Sequence, residues 1–263
     1  MKIKEVVNYL LERFPLETAV DYDQPKLGFV IGDENREITK IMLTLDLTFE
    51  VLMDALSNGC NLIISHHPFI YTPTHKILLD NEKGRIIEIM MKRDISLFSM
   101  HTNLDVGFHG IDDVWATRLA LANVQGENEK GSFLRVGEIK PTKFSDFYQF
   151  VMEQFDVNGA RIVGDDDKII KKVGLCSGSG GNEKDIDDAI SHHCDCYISG
   201  EIKLPAAQKA KYNDLCLIEV NHGVEKIVFY YLAKEMEEDL KLQDKIIVTK
   251  VNTDPLRTVI NNK

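Results

Sequence analysis

Short, dense apolar runs set the strongest limit on what this chain can fold into. NLIIS (61–65), ISLFSM (95–100), CYIS (196–199) and LCLIEV (215–220) are too brief for helices. They are also too continuously apolar for strands with one wet face, so they read as strands buried on both sides. Further strands are expected over 26–32, 38–48, 132–139, 160–163, 169–177 and 245–250. Between them lie amphipathic stretches with helical spacing, over 48–58, 82–93, 111–122, 144–155, 182–193, 203–212 and 224–238. An N-terminal helix is marked by Ile3, Val6, Val7, Leu10 and Leu11. Strands alternating with helices imply an α/β fold whose parallel or mixed sheets are covered on both faces. The 263 residues suffice for one large domain or two lobes. The polar segment QGENEKG (125–131) is the natural boundary, giving a first lobe over 1–125 and a second over 126–263.

Charge and composition exclude several classes of function. A formal net charge of -11 repels phosphate backbones, so general nucleic-acid binding is disfavoured. The N-terminal segment carries acidic residues and no small-residue cleavage site, unlike a signal peptide. No apolar run approaches the roughly 18 residues that span a bilayer. The expectation is a cytoplasmic protein without a membrane segment. Five cysteines, an odd number, are then expected to be reduced. Cys194 and Cys196 follow His192 and His193 and have metal-ligand chemistry, but Cys196 reads better as a buried strand entry.

In sheets of this kind, chemistry collects at the carboxyl ends of the strands. Ser65-His66-His67-Pro68 follows the strand at 61–65, and His101-Thr102-Asn103-Leu104-Asp105 follows that at 95–100. Asn221-His222-Gly223-Val224-Glu225 follows the strand at 215–220, Glu201 that at 196–199, and Asp46 that at 38–45. Taken singly, each is a common loop or helix-start feature; Glu225, for instance, suits a first helical turn. Taken together, they put imidazoles and carboxylates at strand ends, a donor set for Zn, Fe, Mn, Co or Ni. His66, His67, His101, Asp105, His222 and Glu225 are more ligands than one tetrahedral ion needs, and two ions would use them all. His75 and His109 read as loop residues, and His192 and His193 as a helix end. The loop Ser177-Gly178-Ser179-Gly180-Gly181 has two open readings, an anion cradle or a tight strand-to-helix turn.

In order, NLIISHHPFIY, SMHTNLDV, GLCSGSGG, CYISGE and VNHGVEKI resemble the motifs of the GTP cyclohydrolase I type 2 homologue family, also called the NIF-three-like family. The resemblance runs from LGFVIGD near residue 27 to NTDP at 252–255. It implies an α/β fold of two similar lobes, a toroidal homohexamer and a dinuclear metal centre. His66 and His67 match the SHHP motif, His101 and Asp105 the HTNLD motif, and His222 and Glu225 the C-terminal motif. The segment at about 215–240 would thus complete the site begun in the first lobe. Asp46 and Glu201 also match family positions, as residues behind the ligands or facing substrate. His222 and Glu225 are three apart, where many members space them four apart. The chain is also too short for the domain that some members insert between the halves.

Two functions follow from these residues. One is a metal-dependent hydrolase acting on a nucleotide or phosphoester-like small molecule, with His101 or Glu201 moving protons. The other is a non-catalytic metal carrier or metal-responsive binding or scaffold protein.

Overall fold

The computed structural model describes residues 1–126 and 130–256. The boundary segment expected at 125–131 therefore lies partly outside the described residues. The chain forms two compact units. One contains Met1–Phe108 and Val228–Thr253; the other contains His109–Ile227 and the residues from Asp254 on.

The first unit is built on a five-stranded sheet. Its strands run in the order Gly28–Ile31, Ser96–Ser99, Leu62–Ser65, Ile41–Thr44, Ile246–Val248. The first pair is antiparallel and the other three are parallel. Every residue of the three central strands is buried, as their continuous apolar runs require. The helices Phe49–Ser57 and Glu82–Lys92 bury Val51, Leu52, Ile86 and Met90 in one core with Met42, Ile63 and Leu97. Both helices begin at a side-chain cap. Thr48 accepts from the Val51 N–H and Asn81 from the Gly84 N–H.

The second unit carries a six-stranded mixed sheet. Its strands are ordered Ala122–Gln125, Arg135–Lys143, Ile169–Cys176, Cys196–Ser199, Cys216–Glu219, Arg161–Val163. Ile169–Cys176, Cys196–Ser199 and Cys216–Glu219 are parallel neighbours, so their carboxyl ends share one edge. Helices Glu183–Ser191 and Leu204–Tyr212 place Ile186, Ala189, Ala206 and Ala210 against that sheet. Asn182 closes a capping box with Asp185, which starts the first of these helices cleanly.

The mixed α/β class with helix-covered sheets is as the sequence implies. Three details differ from the pattern-based expectation. Ala122–Gln125 is a strand, but all four residues are exposed, so no apolar run marks it. Thr102–Val106 is a short helix within what reads as a loop. The helix expected from residue 224 starts at Val228, after a 3-10 turn over His222–Ile227.

All five cysteines are free thiols. Burial pushes the Cys194 thiol up to about 12 and the Cys196 thiol well above its ordinary value, so neither offers a thiolate readily. Among the described residues, no helix is long and apolar enough to cross a membrane.

Candidate metal centre

In the first unit, three histidines are delivered by adjacent parallel strands. His66 and His67 continue from Leu62–Ser65, and their N–H groups still pair with the neighbouring strand's end, at Thr44 O (3.1 Å) and Leu45 O (2.9 Å). The buried Ser65 hydroxyl reaches His67 O at 3.0 Å and Ser99 Oγ at 2.8 Å, which ties the His-His turn to the next strand. His101 follows Ser96–Ser99, and its N–H is held by Asn103 Oδ1 at 3.0 Å. Asn103 is itself buried and donates to Phe14 O at 2.8 Å. The short helix Thr102–Val106 then returns Asp105, four residues on, to the same face as His101.

These side chains form a cluster. Ring centroids lie 4.8 Å apart for His66–His67, 5.0 Å for His66–His101 and 5.6 Å for His67–His101. One ring nitrogen from each comes within 4.8 Å of the others, a spacing at which the three could hold a metal ion. His66 Nε2 and Asp105 Oδ1 are 3.5 Å apart.

Each of two rings is fixed from behind by a carboxylate. His67 Nδ1 sits 2.7 Å from Asp46 Oδ1, and His101 Nδ1 sits 2.5 Å from Asp23 Oδ2. A carboxylate oxygen accepts, so Nδ1 carries the proton and Nε2 keeps its lone pair for a ligand bond. Asp46 is held in turn by the Thr253 hydroxyl at 2.7 Å. Asp23 is fully buried; the Thr102 hydroxyl (2.9 Å) and Lys26 Nζ (3.5 Å) complete its surroundings. Burial pushes the Asp23 carboxyl up. The His101 hydrogen bond and charge, with the bonds from Thr102, outweigh that and bring it to about 2. It is thus a carboxylate at neutral pH. Asp23 escapes sequence reasoning because it lies 78 residues from His101, in a stretch with no motif. Asp23→Asn or Asp46→Asn is expected to weaken metal affinity about 10–100-fold, measured by titration against a fluorescent chelator.

In the second unit the same arrangement recurs once. His222 Nδ1 is 2.7 Å from Glu201 Oε1, and His222 Nε2 is 3.3 Å from Glu225 Oε2. The 3-10 turn brings the i and i+3 side chains together, so a spacing of three suffices for the pair to meet. Glu225 is 2% exposed, an unusual place for a carboxylate. Glu201, expected behind a ligand or facing substrate, stands behind His222.

The second unit also holds a buried acid that feels the Glu225 charge. Asp112 is fully buried, and its Oδ1 accepts the Ser177 N–H at 2.7 Å. Burial pushes its carboxyl up to about 7, although Arg135 and Ser177 pull the other way. The folded chain therefore binds this proton more tightly than the unfolded one. The stability it contributes is full below about pH 4 and is lost as the pH rises toward 7. Asp112→Asn is expected to remove that slope. Wild-type and variant urea midpoints should diverge steadily between those two pH values.

The remaining histidines lie apart from these clusters. His75 is exposed, His109 has φ +59° and heads a turn, and His192 and His193 end the helix Glu183–Ser191.

The family pattern of Duf34/NIF3 (NGG1p interacting factor 3) matches residues 1–255. The chain belongs to the DUF34/NIF3 family. This DUF34/NIF3 chain is 27% identical to the GTP cyclohydrolase 1 type 2 homolog of Clostridium acetobutylicum, over 98% of each chain. It is 28% identical to the protein of that name from Lactococcus lactis, over 97% of this chain and 98% of the other. Among solved structures, a Staphylococcus aureus hypothetical protein aligns with TM-score 0.89 and 26% identity, covering 98% and 99% of the two chains. Reduced HcgD from Methanocaldococcus jannaschii aligns with TM-score 0.80 and 25% identity, covering 95% and 98%.

Proposed function

We propose that this chain holds two divalent metal ions and hydrolyses a nucleotide or phosphoester-like small molecule. The observation that carries the reading is the cluster His66, His67 and His101, in which two rings are turned by buried or half-buried carboxylates to offer Nε2. Asp105 adds a carboxylate beside His66. His222 and Glu225, paired in the second unit, are read as the remaining ligands. An imidazole and carboxylate set suits Zn, Fe, Mn, Co or Ni.

Such ions, when bound, supply Lewis acidity and an acidified water for attack at phosphorus or at a ring carbon. The chain's own residues do the rest. Asp23 and Asp46 hold the imidazoles as Nδ1–H tautomers, so no reorientation is needed when a ligand arrives. Glu201 accepts from His222 Nδ1 and is 59% exposed, a position from which it can take a proton from an approaching group. His101 is the other candidate for moving protons, but its Nδ1–H is committed to Asp23 and its Nε2 is read as a ligand, so Glu201 is the better placed of the two.

A cleft of about 500 Å³ lies in the first unit, lined by the segment that follows the His-His turn and by none of the proposed ligands. Its lining begins at Phe69, two residues after His67, and includes Ile70, Ile77, Leu78 and Ile87. Lys76, Lys83 and Glu82 are its charged lining residues.

The test is a screen of metal-loaded protein against nucleotides and phosphoesters, with His66→Ala as control. Turnover that is lost in the control supports hydrolysis at this site. Equal turnover in both eliminates the site as catalyst. Reversible uptake and release of metal with no turnover would favour the carrier reading, which the half-exposed Asp46–His67 pair also suits. The homohexamer is tested by light scattering, where six chain masses are expected.

A further inference from the structure

We propose that Asp112 is a positioning residue for the metal ligands of the second unit, acting through the loop Ser177–Gly181. The proposal rests on reading His222 and Glu225 as ligands, but its geometry is independent of any ion.

Asp112 lies in the first turn of helix Ile111–Arg118, and its carboxylate takes the Ser177 N–H at 2.7 Å. Ser177 is the first residue after strand Ile169–Cys176, so this bond fixes where the loop leaves the sheet. Gly178 comes next, with φ +54°. A Cβ there would overlap Glu225 Oε1 and come within 3.4 Å of His222 Nε2. The bare face of Gly178 is thus the wall against which Glu225 packs. Only glycine both takes this backbone conformation without strain and leaves that space open.

The same glycine also sets the partner of His222. Gly178 O accepts the Glu201 N–H at 2.8 Å, and a Cβ on Gly200 would lie 2.6 Å from that oxygen. Glu201 Oε1 then holds His222 Nδ1 at 2.7 Å. One buried acid therefore anchors a loop that braces Glu225 directly and His222 at one remove. The loop's two sequence readings also separate here. The chain's own Asp112 carboxylate already accepts the Ser177 N–H of this loop, so the tight-turn reading is favoured over an external anion cradle.

A buried carboxylate is a costly anchor, as its raised protonation range shows. A neutral acceptor of the same shape should do the same work. This gives a rescue test: Asp112→Asn keeps the Oδ1 acceptor, whereas Asp112→Ala and the similarly branched but bulkier Asp112→Leu remove it.

The first readout uses metal-free full-length protein. The side-chain carboxyl 13C resonance of Glu225 and the ring resonances of His222 are followed by NMR. They are expected to move in Asp112→Ala and Asp112→Leu, and to stay at wild-type positions in Asp112→Asn. Gly178→Ala should move them too, from the other end of the chain of contacts. The second readout is Zn affinity, expected to fall about 10–100-fold in the same variants and to recover in Asp112→Asn. Unmoved Glu225 and His222 resonances in whichever of the Ala and Leu variants folds would overturn the positioning role. So would an Asp112→Asn variant that behaves like them. Resonances that move as expected in a protein that binds no Zn would uphold the positioning role and count against the metal reading alone.

Discussion

Replacing His67 and His101 together by alanine is expected to leave the protein with no more bound divalent metal than a non-binding control. Their side chains are 25% and 20% exposed, so truncation opens no deep cavity and the fold should hold. What is lost is two Nε2 donors. Asp46 keeps Thr253, and Asp23 keeps Thr102 and Lys26, so neither carboxylate is stranded. Residues behind a ligand are commonly worth about 10–100-fold in affinity. Removing two ligands outright should exceed that, which takes binding out of a micromolar titration. Elemental analysis after dialysis reads the content directly. Thermal melting gives a second measure. A ligand present at about 100 times its dissociation constant stabilises the native state by about 2.7 kcal/mol, and the variant should show no such rise on adding Zn. Metal retained at wild-type level with an unchanged circular dichroism spectrum would place the binding elsewhere.

The largest stability effect should come from Arg135→Met. Arg135 is 1% exposed, its Nε meets Asp113 Oδ1 at 2.6 Å, and its Nη1 donates to Ser132 O at 2.8 Å. It is also the first influence that offsets the upward push of burial on Asp112. Methionine nearly matches the volume but leaves two carboxylates without their cation. Breaking a buried pair by removing one partner typically costs about 3–5 kcal/mol, far more than the pair contributes against an apolar replacement of both. Urea denaturation followed by tryptophan fluorescence suits the measurement, because Trp115 is buried against Phe155 in the same unit. A loss under about 1 kcal/mol would show that Asp112 and Asp113 draw their compensation from elsewhere.

How far the sequence foretells this structure depends on burial. The central strands Leu62–Ser65, Ser96–Ser99 and Cys196–Ser199 announce themselves because both faces are covered, which demands unbroken apolar residues. Ala122–Gln125 makes no such demand and stays invisible. The clustered histidines are legible because they sit where buried strands end. The residues that orient them are only partly so. Asp46 and Glu201 occupy strand ends and fall under the same rule, whereas Asp23 follows no strand and reaches His101 only through the fold. Asp112 is hidden for another reason. At the start of a helix an acid ordinarily faces water, and nothing local shows that the Ser177 N–H closes over it.

The most direct measurement is anomalous diffraction from crystals of the Zn-loaded protein, collected on both sides of the zinc edge. The account predicts two anomalous peaks about 3.5–4 Å apart. Nε2 of His66, His67 and His101 and the carboxylate of Asp105 should lie beside them. A single peak, or peaks remote from those three imidazoles, would contradict it.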